Sequence, residues 1–175
     1  MSRIRVALLG ASGSIGLQAA DVIAQHPEEF ELVALASGRG GEQHDALASA
    51  HPKARSLVGG SADDLRSLAL DTAPDVALIA TTGVVGLAAT VAALEAGVAV
   101  AIANKETIVA GGDVVMRAAR TAAERKGSDV LERLRPVDSE HSALWQCLVG
   151  ESLDRVRSLF LKSPLARETA IFPNF

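Results

Sequence analysis

The sequence contains no tyrosine, a single tryptophan, one cysteine (Cys147) and only 3% aromatic residues. So few rings leave little from which to build the base-stacking platforms of single-stranded nucleic-acid binders. Basic charge is not in excess either: 17 Lys and Arg stand against 21 Asp and Glu, a net charge of −4 scattered without blocks. A nucleic-acid partner calls for a basic stripe, so none is expected. A lone cysteine cannot close an internal disulfide, which suits a reducing compartment; cytoplasm is the expected one. No apolar run approaches the roughly 18 residues of a spanning helix, so a soluble chain without a membrane partner is expected. The opening Met1-Ser2-Arg3-Ile4-Arg5 leads into a strand pattern with no small-residue cleavage site behind it. It reads as part of a fold rather than as a signal peptide.

What is abundant is Ala, Val, Leu and Gly, within 49% hydrophobic and 22% charged residues. That is ordinary globular composition, not that of a disordered chain. Ile4–Leu9 (IRVALL) is a near-continuous apolar run ending at Gly10, as expected of a strand buried on both faces in a parallel sheet. A helical pattern follows up to Pro27, then an apolar strand over Phe30–Ala36, a helix over Glu42–Ala50 and a short strand over Ser56–Val58. Ser61-Ala62-Asp63-Asp64 carries the hydroxyl and carboxylates of a helix start, and that helix should end near Pro74. Strands over Asp75–Ala80 and Val98–Ala103 flank a helix over Val84–Ala96, with Gly97 as its stop. Thr107–Lys126 reads as a helix bent at Gly111-Gly112 and stopped by Gly127. Strand–helix alternation over the first 127 positions predicts a doubly wound parallel sheet, a Rossmann-like α/β fold. The composition then turns more charged in SDVLERLRPVDSEH. A boundary is expected there, dividing residues 1–127 from 128–175.

Gly10, Gly13 and Gly16 form G-x-x-G-x-x-G between the first strand and the first helix. In a dinucleotide fingerprint one glycine permits the sharp turn, another admits a pyrophosphate to backbone N–H groups, and a third allows close helix–strand packing. Ser12 and Ser14 add hydroxyl donors, and the helix N-terminus adds positive potential. A plain strand-to-helix turn is the competing reading, because the spacing departs from G-x-G-x-x-G. The second strand ends in Ala36-Ser37-Gly38-Arg39-Gly40, without the acid that holds the ribose 2′-hydroxyl of NAD. Arg39 is suited to pair with a 2′-phosphate and Ser37 to hydrogen-bond it, so NADP(H) is favoured over NAD(H). The alternative is a solvated arginine in a glycine loop.

Two polar clusters remain. Asn104-Lys105-Glu106 stands just beyond a strand's carboxyl end, where ligands of open α/β sheets collect. A lysine there suits a substrate phosphate or hydroxyl, and Asn104 a cofactor; an ordinary charged loop is the other reading. Asp138-Ser139-Glu140-His141 precedes the amphipathic SALWQCLVG. Asp138 or Ser139 suits an N-cap and Glu140 a first turn, but the two carboxylates are also hard oxygen ligands for Mg²⁺ or Mn²⁺. The helical spacing of Trp145 and Cys147 points to core. His26, His44 and His51 receive no role.

GASGSIG, IANKETIVAGG and RPVDSEHSALWQCLVGE, in this order and at these separations, resemble the 1-deoxy-D-xylulose 5-phosphate reductoisomerase family over residues 3 to about 160. The resemblance implies an NADPH- and divalent-metal-dependent rearrangement and reduction of that sugar phosphate to 2-C-methyl-D-erythritol 4-phosphate, on the pathway to isoprenoid precursors. Ser12, Gly13, Ser14 and Ile15 match the family's first NADPH-binding turn. Gly38 and Arg39 match the loop at the adenosine ribose phosphate, where Gly40 stands in place of the family's Asn. Asn104 and Glu106 match NADPH-contacting positions, Lys105 and Ser139 substrate-contacting ones, and Asp138 and Glu140 metal ligands. The metal would polarise the substrate's carbonyl and neighbouring hydroxyl, retro-aldol and aldol steps would rearrange the carbon skeleton, and NADPH would reduce the resulting aldehyde. Full-length members are expected to be homodimers.

After about Leu161 the match fails: a Gly- and Ser-rich phosphate loop is replaced by Lys162-Ser163-Pro164-Leu165-Ala166-Arg167. Residues 128–175 are therefore expected to be the incomplete start of an α/β catalytic domain, and the chain alone is expected to turn over little or nothing. A non-catalytic NADP(H)-binding module that pairs with another chain is a second reading. A semialdehyde dehydrogenase ranks last, because it needs a nucleophilic cysteine with a histidine base and Cys147 sits in a helical apolar pattern.

Overall fold

The structure, a computed structural model, describes residues 2–148, 150, 151, 155 and 156, and the backbone alone of Glu140, 158–162 and 169–173. The stretch 163–168, where the family resemblance ends, lies outside the described residues. The chain divides into two compact units, Met1–Val137 and Asp138–Phe175.

The first unit begins with β1 (Ile4–Leu9), α1 (Ser14–Gln25), β2 (Phe30–Ser37), α2 (Glu42–Ala50), β3 (Arg55–Val58) and α3 (Ala62–Asp71). It continues with β4 (Val76–Ile79), α4 (Leu87–Glu95), β5 (Ala99–Ile102), α5 (Lys105–Lys126), the single turn α6 (Val130–Arg133) and β6 (Leu134–Pro136). All pairings are parallel, in the order β3-β2-β1-β4-β5-β6. This is a Rossmann-like α/β fold whose strand order reverses between β1 and β4.

Burial on both faces explains the continuous apolar runs. Ala7 and Leu9 of β1 enter a core with Leu65, Leu68, Ala93, Leu94, Val115 and Ala119 from α3, α4 and α5. Val6 and Leu8 enter a second core with Ala20 and Ile23 of α1, beside Leu47 and Ala48 of α2. The β1–β2 register slips once: Val6 pairs with Leu32 but Ala7 with Ala34, leaving Val33 as a one-residue bulge.

The helix ends follow local chemistry. Asn104 Oδ1 accepts from the Thr107 N–H at 2.9 Å, so α5 starts at Lys105, two residues before the apolar pattern does. Gly127 ends α5 in the left-handed region (φ 59°, ψ 39°), and Gly111 breaks its helical dihedrals (φ −127°, ψ 19°). A Cβ at Gly111 would lie 2.4 Å from Leu87 Cδ1, so the bend and the tight α4–α5 contact share one glycine. β6 is the element least visible in sequence. Three residues ending in Pro136 carry no period, and proline is tolerated because the strand lies at the sheet edge.

Ser61 caps α3 in a reciprocal box. Its N–H and Oγ–H donate to Asp64 Oδ2, both at 2.8 Å, and Asp64 N–H donates back to Ser61 Oγ at 3.2 Å. The backbone bond first, and the hydroxyl second, hold the Asp64 carboxyl below its ordinary pKa. A carboxyl lowered by folding contributes stability above its unfolded pKa and loses it as pH falls through the folded one. Asp64→Asn should therefore be less stable than the parent at neutral pH, and the gap should close as the carboxylates protonate. Paired urea melts across that range check this.

The second unit contains α7 (Ser139–Leu148) and an antiparallel pair, β7 (Ser158–Lys162) and β8 (Thr169–Pro173). Cys147 is exposed, against the expectation of core. Ala143, Gln146 and Cys147, spaced by three and four, share the exposed side of α7, while Leu144, Trp145 and Leu148 are half-buried. Among the described residues no helix is long and apolar enough to cross a membrane.

Candidate functional site

Where the strand order reverses, the loops after β1 and β4 diverge and leave a crevice beyond the strands' carboxyl ends. A cavity of about 480 Å³ occupies it. Gly10, Ser12 and Gly13 line it from the end of β1, Ala36 to Arg39 from the end of β2, and Ala80 to Thr82 from the end of β4. Arg39 is the single charged residue in this lining, and among the described residues its guanidinium has no ion pair.

The turn is shaped by close backbone approach. Gly10 adopts φ +99°, and a Cβ there would lie 2.3 Å from the Ala80 carbonyl oxygen. A Cβ on Gly16 would lie 2.2 Å from the Gly10 oxygen and 2.7 Å from that of Ala11. The Gly10 and Ala11 N–H groups both donate to the Ala36 oxygen, at 2.8 and 2.7 Å, tying the turn to β2. Gly13, the N-cap of α1, is exposed and makes no side-chain cap, and the first turn of α1 has no acid. The opening amides of α1 thus present donors and positive potential with no side chain spent on them. By contrast α3 is capped by Ser61, α5 by Asn104 and α6 by Asp129.

Of the residues singled out in the sequence, Ser12, Gly13, Gly38 and Arg39 meet along this cavity. Ser14 opens α1, with its hydroxyl 3.3 Å from Gln18 Nε2; Ile15 beside it is 38% exposed. Gly40 lies off the lining, where a Cβ would meet Val58. Asn104 is buried and fully used: besides capping α5, its Nδ2 donates to the Gly83 oxygen at 2.6 Å and to Thr81 Oγ1 at 3.2 Å. It straps the loop after β4, one wall of the cavity, to the start of α5. Lys105 and Glu106 are exposed in the first turn of α5.

In the second unit Asp138 caps α7. Its Oδ2 accepts from the His141 N–H at 3.2 Å and is in close contact with His141 Nδ1; neither bond uses Oδ1. Ser139 is exposed at the start of α7, and the Glu140 side chain lies outside the described residues. Among those described, the one His/Cys/Asp/Glu trio within ligand distance of one another is the exposed His26, Glu28 and Glu29, in the other unit.

The sequence reading passed over three contributors: Thr81 and Thr82, which line the cavity, and His44. His44 is buried (3% exposed) between Ser37 Oγ at 2.9 Å and Ser56 Oγ at 2.8 Å. A histidine near a helix end gives no such signal alone. A glycine does: Gly86, opening α4, would place a Cβ 2.5 Å from Thr81 Oγ1.

Sheet order, glycine turn and switch-point cavity together define a Rossmann-like α/β domain with a glycine-rich cavity at its switch point. Comparison with known proteins narrows this. The family described as 1-deoxy-D-xylulose 5-phosphate reductoisomerase matches residues 6–53 and 41–112, more than half of the chain. The chain belongs to this family. It is 42% identical to the 1-deoxy-D-xylulose 5-phosphate reductoisomerase of Mycobacterium leprae (strain TN), over 91% of this chain and 40% of that protein. It also resembles the solved reductoisomerase of Zymomonas mobilis in complex with NADPH, with TM-score 0.71 and 30% identity over 83% of this chain and 41% of that one. A third likeness is to a DOX-P reductoisomerase in complex with NADPH, fosmidomycin and magnesium, with TM-score 0.65 and 31% identity over 82% of this chain and 38% of that one. The chain thus spans about 40% of the length of the curated relatives it matches.

Proposed function

We propose that residues 1–127 bind NADPH and that the chain serves the reduction and rearrangement of 1-deoxy-D-xylulose 5-phosphate to 2-C-methyl-D-erythritol 4-phosphate, with 128–175 contributing the first part of the catalytic domain. One observation carries the cofactor reading. The cavity at the switch point is lined by Gly13, where α1 begins without a side-chain cap, and by Arg39 after β2, which has no ion pair among the described residues. Two features suit that cofactor: a side chain at Gly10 or Gly16 would collide with the backbone that shapes the turn, and among the described residues no carboxylate lines the cavity to repel a 2′-phosphate.

Each residue then has a task. The amides of Ser14 and Ile15, with the Ser12 and Ser14 hydroxyls, hold the pyrophosphate beside Gly13. Arg39 and the backbone at Gly38 and Gly40 hold the adenosine 2′-phosphate. Asn104 keeps the loop after β4 in place against α5, and Glu106 accepts from the nicotinamide end. The Lys105 ammonium and the Ser139 hydroxyl bind and orient the sugar phosphate, restricting its approach. Asp138 and Glu140 are oxygen donors of the kind that hold Mg²⁺ or Mn²⁺, and Oδ1 of Asp138 carries neither of the bonds that cap α7. The bound nicotinamide supplies hydride, and the cation Lewis acidity.

The 175 residues themselves carry cofactor binding rather than turnover. The chain covers about 40% of the length of its relatives, which is the ground for that expectation. An exposed, unpaired Cys147 suits a cytoplasmic enzyme, and homodimers are expected of the longer relatives. Titration of the chain with NADPH, followed by cofactor fluorescence, should saturate at least about tenfold below the concentration that NADH requires, one charge-assisted contact being worth roughly that much. Adding the sugar phosphate and Mg²⁺ should produce no steady loss of NADPH absorbance. Equal affinity for NADPH and NADH would overturn the cofactor reading, and steady metal-dependent consumption would overturn the division of labour.

A further inference from the structure

We infer that His44 is a positioning residue that sets the direction of the Ser37 hydroxyl proton and thereby the preference for a phosphate over a hydroxyl at the ribose 2′ position. This rests on the NADP(H) reading above. Ser37 lines the cavity beside Arg39 yet is only 2% exposed, so its hydroxyl has few partners to choose from. One of them is His44 Nδ1 at 2.9 Å, whose other ring nitrogen meets Ser56 Oγ at 2.8 Å. Ser56, on β3, is exposed and does not line the cavity.

A neutral imidazole has one donor and one acceptor, and each hydroxyl has one hydrogen. The Ser56–His44–Ser37 chain therefore has two proton orders. In the first, Ser56 donates to Nε2, Nδ1–H donates to Ser37 Oγ, and the Ser37 hydrogen is free for the cavity. In the second, Ser37 donates to Nδ1, Nε2–H donates to Ser56, and Ser37 offers the cavity only lone pairs. A ribose 2′-hydroxyl both donates and accepts, so either order serves it. A 2′-phosphate at neutral pH chiefly accepts, so only the first order rewards it, with a charge-assisted bond. The buried ring makes that order available from a residue that does not itself line the cavity.

The test uses the full chain. With ¹⁵N-labelled histidine, the His44 ring in the NADP⁺ complex should show the Nδ1–H tautomer; an Nε2–H tautomer in that complex overturns the inference. In His44→Phe the Ser37 hydroxyl loses the Nδ1–H that orients it, and the ratio of NAD⁺ to NADP⁺ dissociation constants should fall about twofold to fivefold, less than the worth of a whole hydrogen bond. It should fall less, but measurably, in Ser56→Ala, an exposed change that keeps the measurement open should His44→Phe not fold. An unchanged ratio in Ser56→Ala together with an unchanged ratio in a folded His44→Phe also overturns it. Failure of the parent chain to bind NADP⁺ saturably would instead defeat the cofactor reading on which the inference stands.

Discussion

Alanine at Gly16 is expected to unfold the first unit or leave it with a sharply lowered melting temperature, and alanine at Gly10 to do nearly as much. At Gly16 the added methyl would sit 2.2 Å from the Gly10 carbonyl oxygen and 2.7 Å from that of Ala11. Both obstacles are backbone, so no rotamer change relieves them. Overpacking of this kind costs about 1–3 kcal/mol, occasionally more. At Gly10 the overlap with the Ala80 carbonyl, 2.3 Å away, comes with a backbone held at φ +99°, which adds about 1–3 kcal/mol for a residue with a side chain. Against a total stability of about 5–15 kcal/mol, either loss is large. Gly38 is the control: a Cβ there meets nothing within 4 Å and its φ is not in the left-handed range, so Gly38→Ala should melt with the parent. Thermal melts of the three variants by circular dichroism decide this, and a Gly16→Ala melt that matches the parent would contradict the packing argument.

Replacing Arg39 by alanine is the second substitution with a large expected effect, this time on binding. Arg39 is the single charge lining the cavity and has no ion pair among the described residues. Its removal therefore breaks no internal pair and should leave the melt unchanged. Hydrogen bonds to charged groups contribute about 1.5–3 kcal/mol, so NADPH affinity should fall about tenfold to a hundredfold. NADH affinity should hardly move. Arg39→Lys should restore only part of the loss, because an ammonium offers a point charge without the guanidinium's fork. The gap between parent and variant should narrow at high salt, as expected of a charge at a solvent-facing mouth. Equal losses for NADPH and NADH would place Arg39 away from the 2′-phosphate.

These substitutions also show which features a sequence displays. The apolar run of β1, the Ser61 cap of α3, the bend at Gly111 and the stop at Gly127 were all legible, because each depends on residues close together in the chain. β6 was not, since three residues ending in Pro136 have no period to read and are ordered by the edge of β5. The candidate site divides in the same way. Its glycine turn is local, whereas the meeting of Arg39 with the loop after β4, and of Asn104 with Thr81 and Gly83, exists only once the sheet has formed. His44 lies seven residues from Ser37 and twelve from Ser56. Nothing in those spacings indicates that the three side chains form one chain of hydrogen bonds.

The bulge at Val33 carries this further. In an uninterrupted strand, residues an odd number apart face opposite ways. Leu32 and Ser37 are five apart, yet Leu32 packs with the α1 and α2 side of the sheet and Ser37 bonds to His44 of α2. The unpaired residue between them reverses the count, so that the entering half of β2 is phased to the hydrophobic layer and the leaving half to the polar relay. A regular strand, with Val33 taken into the ladder instead of bulged out, would force a choice between the two: with Leu32 kept in place, Ser37 would point to the opposite face, out of reach of His44. One extra residue in mid-strand thus lets a single strand obey two separate demands of parity.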